Sequence, residues 1–250
     1  MTQTVICMKW GTRYGPDYVN RLYSMVQRHT KRPTRLVCYT DDTSGIAAGV
    51  ETFPLPHIVL PKAAWDPQTK AWRPWAKLSL WQKNLQGVTG EVLFLDLDMV
   101  ITGSLDEFFD YEPGCFCVAR NWTQPHAQIG NTSIFRFPAG GHTYLYDRIM
   151  NECERVMATY SNEQSFISRE ISGMKFWPDE WCMSFKRSLL PQWPLNFFVA
   201  PSLPPGTKVV AFPGKPDPDE AMVGQWPHKH WWQALYKYVR PTPWIAEHWR

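Results

Sequence analysis

Residues 90–109, GEVLFLDLDMVITGSLDEFF, constrain the fold of this chain more than any other stretch. The unbroken apolar run Val92–Leu95 reads as a buried strand, and it stops in two acids, Asp96 and Asp98, before a loop and a short amphipathic helix. An unalternating strand of this kind is covered on both faces, which calls for a layered α/β architecture. The chain's opening agrees. TVICMKW reads as a strand, and GPDYVNRLYSMVQRHT carries Tyr18, Val19, Leu22, Tyr23 and Val26 at helical spacing behind a Gly-Pro start. RLVCYT is a second strand, closed by the turn signal DDTSG. A β-α-β opening predicts a central sheet that is mostly parallel.

Beyond that opening, the Pro-rich stretch FPLPHIVLPKAAWDPQTK reads as irregular loop with one short strand, and PWAKLSLWQKNL resumes a helical pattern. CFCVAR and TSIFRF read as strands, and HTYLYDRIMNECERVMATY as one long helix. SNEQSFISREISG places Ser161 and Gln164 at capping-box spacing, with Gly173 as the stop. No internal repeat is present. The expectation is one α/β domain over residues 1–225 and an aromatic, basic tail over residues 226–250.

The chain of 250 residues has ordinary hydrophobic and charged shares, 44% and 20%, but 14 Trp and 22 Pro, which favours ordered loops lining a binding cleft. Tail residues Lys229, Lys237, Arg240 and Arg250 face a single acid, Glu247, so the tail carries the whole formal net charge of +3. A neutral body lacks the broad basic face that nucleic acid requires. MTQTVICMKW is not a secretory leader, and no stretch is long and apolar enough to span a membrane, so a cytoplasmic protein is expected. The six cysteines are scattered without zinc-ribbon spacing and read as reduced, structural thiols.

In an open α/β sheet ligands sit beyond the carboxyl ends of the strands, where Asp96 and Asp98 lie. Two carboxylates on alternate residues suit a hard cation, Mg²⁺ or Mn²⁺, which keeps positions open for substrate phosphates. The chemistry implied is a metal-bridged diphosphate; the plain alternative is an Asp-containing turn. DLDMV also fits loosely the first motif of haloacid-dehalogenase-like phosphatases. Their paired acids lie downstream, however, whereas Asp41 and Asp42 lie upstream.

The ordered series AKLSLWQ, VLFLDLDMVITGSLDEFF, NTSIFRF, EQSFIS and VVAFPGKP resembles the GT-A nucleotide-sugar glycosyltransferases, within them family eight, the glycogenin and lipopolysaccharide galactosyltransferase group. The resemblance implies a single GT-A, Rossmann-like domain with a mostly parallel sheet. It implies a cation, Mn²⁺ or Mg²⁺, on Asp96 and Asp98, with Asp96 also near the ribose. Lys77, with Arg73 beside it, corresponds to the donor-site lysine, Asn131 to the asparagine on the donor sugar's hydroxyls, and Lys215 to the late-motif lysine. Glu163 and Gln164 stand where the family has Asp-Gln facing the reactive carbon, and Tyr14 or Trp10 stands at the base-binding loop. Ala211 replaces the family's histidine metal ligand, leaving Asp217, Asp219, His228, His230 or water as substitutes.

The function implied is transfer of a sugar from a UDP-linked donor, with retention, to a carbohydrate or lipid-linked acceptor. The rival reading is a non-catalytic carbohydrate-binding protein using tryptophans as stacking platforms. The tail holds five tryptophans, Trp226, Trp231, Trp232, Trp244 and Trp249, among basic residues. That composition suits either peripheral contact with the inner face of a membrane or a clasp packed back on the domain.

Overall fold

The computed structural model describes residues 2–66, 71–72 and 74–250. In chain order it comprises β1 (Gln3–Lys9), α1 (Pro16–Arg28), β2 (Thr34–Thr40), β3 (Glu51–Pro54), β4 (Trp65–Asp66), β5 (Ala71–Trp72) and β6 (Glu91–Leu95). β7 (Met99–Ile101), α2 (Asp106–Asp110), β8 (Cys117–Arg120), β9 (Gly130–Pro138), α3 (Tyr144–Asn151), α4 (Cys153–Thr159) and α5 (Glu163–Glu170) follow. The chain closes with β10 (Lys175–Phe176), β11 (Cys182–Ser184), β12 (Val209–Ala211), α6 (Pro218–Met222) and α7 (Pro243–His248).

Seven strands form the main sheet in the order β10-β8-β9-β6-β1-β2-β3, and only β9 runs against the others. The unalternating strands are explained by two cores. Val5, Cys7, Leu36, Cys38, Leu93 and Leu95 face α1 and the smaller sheet. Their neighbours Ile6, Met8, Val37, Tyr39, Val92 and Phe94 face Trp81, Phe135, Phe137 and α3. Each fully buried aliphatic side chain contributes about 1.5–3 kcal/mol, so both faces of these strands favour apolar residues.

The smaller sheet, β11-β12-β7, aligns Ser184, Ala211 and Met99 in one row. Since β6 ends at Leu95 and β7 begins at Met99, the segment Asp96–Asp98 is the crossover between the two sheets. Backbone bonds pin it from both sides: the Asp96 N–H donates to the Ser133 carbonyl at 2.9 Å, and the Phe212 N–H to the Asp98 carbonyl at 3.0 Å.

Local structure departs from the sequence reading in three places. The helical pattern read over PWAKLSLWQKNL is a 3-10 helix, Pro74–Trp81, that stops short of residues 83–85. It is buried all round from Trp75 to Trp81 and packs on α3 and α5, so its neighbours shape it rather than an apolar stripe. The expected long helix is broken into α3 and α4 at Glu152, φ −131°, directly after Asn151, a weak helix former. The cap of α5 is Asn162, whose side chain accepts the Ser165 N–H at 2.8 Å; Ser161 lies one position too early. All six cysteines are free thiols.

The tail divides. Ile245 and Trp249 are buried in the core, with Trp226 and Trp244 packed against it. The Arg21 guanidinium covers the Trp249 ring at 4.0 Å, and Arg28 donates to the carbonyls of His248 and Arg250. His29 at the end of α1 lies 6.1 Å from the His248 ring. Burial, followed by His248 and Arg28, drives the His29 pKa down to about 4. A depressed histidine stabilises the fold above its unfolded value of about 6.5, and that contribution is lost as pH falls toward 4. Chemical denaturation at pH 7 and pH 5 should show His29→Gln losing about 1 kcal/mol less on acidification than the parent, after discounting for solvent that reaches the ring. Equal losses would remove His29 from the account.

Candidate functional site

The crossover aspartates lie at the carboxyl edge of the main sheet and are held in different ways. Asp96 faces Lys77, whose Nζ lies 2.7 Å from the carboxylate and also donates to the Thr132 carbonyl at 3.1 Å. Lys77 is only 6% exposed, because the 3-10 helix that carries it is buried all round. Its ammonium also lies 5.1 Å from the centre of the Phe94 ring. One residue along β9 from Asn131, the Thr132 hydroxyl donates to Glu163 Oε1 at 2.9 Å. Glu163, in the first turn of α5, is 2% exposed; burial raises its pKa while Lys77 and Thr132 pull it back. Four elements thus converge on one ammonium.

Asp98 has a different environment. Its Oδ2 accepts the Tyr14 hydroxyl at 2.9 Å. Burial, then repulsion from Asp96, pushes its pKa up to about 7 against the opposing pull of Tyr14, Arg13 and Lys77. Tyr14 is itself raised by burial and by Asp98. Its ring packs on Tyr18 at 4.7 Å and beneath the Arg13 guanidinium at 4.9 Å. Tyr14 therefore meets the acid through its hydroxyl while its ring is covered by these neighbours. Arg13 reaches Asp217 at 3.4 Å. Asp217 opens α6 in a capping box with Glu220, and Lys215 closes on Asp217 at 2.7 Å and Glu220 at 2.5 Å.

Two carboxylates at the crossover, one paired with Lys77 and one with the Tyr14 hydroxyl, form an oxygen donor set for a hard cation. Ala211, buried beside Met99, offers only a methyl group where a third side-chain ligand is expected. Of the substitutes, Asp217 is engaged by Arg13 and Lys215, and Asp219 accepts the Tyr18 hydroxyl at 2.9 Å. His228 and His230 are exposed in the tail. Among the described residues no cluster of three or more His, Cys, Asp or Glu forms. The residues present fit a cation held by two carboxylates and completed by water and ligand oxygens.

The Oδ1 atom of Asn131 accepts the Ser133 N–H at 2.9 Å at the start of β9, and the Nδ2 amine has no hydrogen bond within the described residues. Gln164 follows Glu163 in α5, and its Oε1 is buried with no partner among the described residues. Trp10 directly follows β1 and is half-buried against the cluster that holds Ile6 and Met8. Arg73 lies outside the described residues. Thr132, Arg13 and the Tyr14–Asp98 bond carry no local sequence signature, since the last joins positions 84 apart.

Breaking a buried ion pair by removing one partner costs about 3–5 kcal/mol. Lys77→Met should lower stability in denaturant titrations by about that amount, whereas Lys83→Met, on the exposed turn after the 3-10 helix, should stay within about 0.5 kcal/mol. A Lys77 variant as stable as the parent would return this lysine to the surface.

No protein-family model matches the chain, and no curated protein matches it by sequence. Solved structures do match. The galactosyltransferase LgtC, in complex with donor and acceptor sugar analogues, superposes with a TM-score of 0.60 at 12% identity over 86% of this chain and 89% of its own. The glycosyltransferase GlyE of Streptococcus pneumoniae gives 0.56 at 14% identity, over 86% of this chain and 56% of its own. Mouse xyloside xylosyltransferase 1 gives 0.53 at 11%, over 85% and 98%. The seven-stranded sheet with the acid pair at its carboxyl edge is therefore the fold of the GT-A glycosyltransferases, as the motif series implied.

Proposed function

We propose that this chain is a metal-dependent glycosyltransferase that moves a sugar from a UDP-linked donor to a carbohydrate or lipid-linked acceptor with retention of anomeric configuration. The observation that carries the proposal is the crossover itself, which sets Asp96 and Asp98 side by side at the carboxyl edge of a GT-A sheet. Each is already oriented, by Lys77 and by Tyr14. A divalent cation, Mn²⁺ or Mg²⁺, on these two carboxylates would supply positive charge to the leaving diphosphate. Lys77 fixes the Asp96 carboxylate, and Thr132 ties Glu163 to the same site, so Glu163 acts by positioning. Gln164 brings an unpartnered amide oxygen and Asn131 an amine, groups that suit sugar hydroxyls. An active-site glutamine-to-glutamate variant is among the LgtC structures that share the fold, and Gln164 is the proposed counterpart of that glutamine.

Calorimetry with UDP, with and without Mn²⁺, tests the reading. The parent should bind UDP only with Mn²⁺, and Asp98→Ala should abolish that dependence while melting as the parent does. A variant that still binds UDP through the metal overturns the reading. So does a parent that binds free sugars but no nucleotide, the outcome that favours a lectin-like module.

A lipid-linked acceptor is favoured by the surface beside the tail. Phe198 and Trp231 are 75% and 79% exposed, and Trp193, Leu195, Trp232 and Leu235 are exposed with them. Two segments build one patch, because the Trp193 indole donates to the Leu235 carbonyl at 3.1 Å and Phe197 stacks on Tyr238 at 4.9 Å. Lys229, Lys237 and Arg240 supply charge that matches an anionic leaflet. No described helix is long and apolar enough to cross a membrane. Replacing Trp231 and Trp232 by Ser should abolish sedimentation with anionic liposomes at low salt and leave UDP binding intact. Failure of the parent to sediment would refute the contact.

A further inference from the structure

The register of the smaller sheet brings a cation to the side of the site where Ala211 leaves a side-chain ligand out. Ser184 and Ala211 share a row with Met99, so the chain just beyond Ser184 emerges at the same edge as Asp98 and the turn Phe212–Lys215. The residue it presents there is Lys186, in the short π-helical turn Phe185–Leu189, whose Arg187 N–H donates to the Ser184 hydroxyl at 3.4 Å. Gly214 lies directly beneath it: a Cβ there would approach Lys186 Nζ to 3.2 Å.

We propose that Lys186 binds the diphosphate of the nucleotide donor, in place of Lys215, which the family resemblance matches to the late-motif lysine. The proposal rests on the nucleotide-sugar reading above. Lys215 is committed elsewhere: its ammonium is clamped by both Asp217 and Glu220, and that clamp forms part of the N-terminal cap of α6. Lys186 makes no hydrogen bond or ion pair with any described residue. Its half-buried ammonium nevertheless lies in the field of Asp98 and Asp217. Burial, Arg187 and Lys237 disfavour its charge, and the two acids favour it.

A partly dehydrated ammonium without an acceptor is costly, and an anion placed between it and Asp98 would restore what burial removes. A structural counter-ion is a poorer account. Asp217 already has Arg13 and Lys215, and Asp98 has the Tyr14 hydroxyl, so neither acid needs Lys186 as its direct partner. A ligand phosphate is the acceptor the geometry still lacks. It would also complete the shell of a cation left without the third protein ligand.

Calorimetry on the full chain with UDP and with uridine, both with Mn²⁺, separates the possibilities. A hydrogen bond to a charged phosphate predicts that Lys186→Met weakens UDP about tenfold or more while uridine changes less than about twofold. Lys186→Arg should recover to within about threefold of the parent. Lys237→Met removes a like charge that acts on Lys186, and should stay within about twofold for both ligands. Lys186→Gln, which keeps a polar stem, repeats the UDP test should the methionine variant melt early. UDP affinity unchanged in Lys186→Met and Lys186→Gln, equal losses for UDP and uridine, or an equal loss in Lys237→Met would overturn the assignment. A parent that binds no UDP sinks the nucleotide reading itself, and the assignment with it.

Discussion

The buried pairing of Lys77 with Asp96 is the contact on which the rest of the site depends. An ammonium that is 6% exposed is tolerable only where its donors are met, and they are met by a carboxylate at the end of β6 and a carbonyl on β9. Satisfying it fixes the 3-10 helix against the sheet. Through Thr132 it also fixes the first turn of α5, which carries Glu163 and Gln164. Removing the lysine would leave the half-buried Asp96 without its ion pair and the buried Glu163 without the positive charge that favours its ionised form. The site and this half of the core therefore stand or fall together.

The strands and the acid pair were legible because their signals are local. β1, β2 and β6 send alternate residues into two different cores, so an unbroken apolar run is what both faces demand, and it can end in acids only where the sheet ends. α1 was legible from its spacing. A helical segment at Pro74–Trp81 was legible too, but its 3-10 winding was not, since a segment buried all round carries no stripe to show the period. Nor was the break at Glu152: Leu145, Ile149, Cys153 and Val156 keep helical spacing across it. A mostly parallel sheet was expected from the alternation of strands and helices. The one reversed strand, β9, is the one that places Asn131, Thr132 and Ser133 beside the aspartates.

What the sequence concealed about the site is its charge balance. DLD announces two acids, but the partners that set their behaviour come from far along the chain: Tyr14 for Asp98, Lys77 for Asp96, and Arg13 for Asp217. The family resemblance matches Lys215 to the late-motif lysine, whereas in the structure its own helix cap engages it. Asp98 and Glu163, both raised by burial, mark a region where folding works against carboxylate charge. A carbohydrate-binding surface built only from stacking rings has no need of such an arrangement; a site that receives a cation and a diphosphate together relieves it.

The tail makes the corresponding point for the aromatic residues. Five tryptophans within 25 residues invite a single explanation, yet Trp249 lies beneath the Arg21 guanidinium in the core while Trp231 is almost bare. Trp226 and Val239 also pack on the core, and α7 is anchored on α1 by cations that meet backbone carbonyls, so the exposed rings and side chains lie within residues 231–236, ahead of α7. The segment before it packs on the loop that carries Trp193 and Phe198, itself apolar and exposed. Two exposed apolar segments that support each other cannot bury each other, so the patch persists at the surface. Lys229, Lys237 and Arg240 belong to the same segment, the composition on which the proposed contact with an anionic leaflet rests.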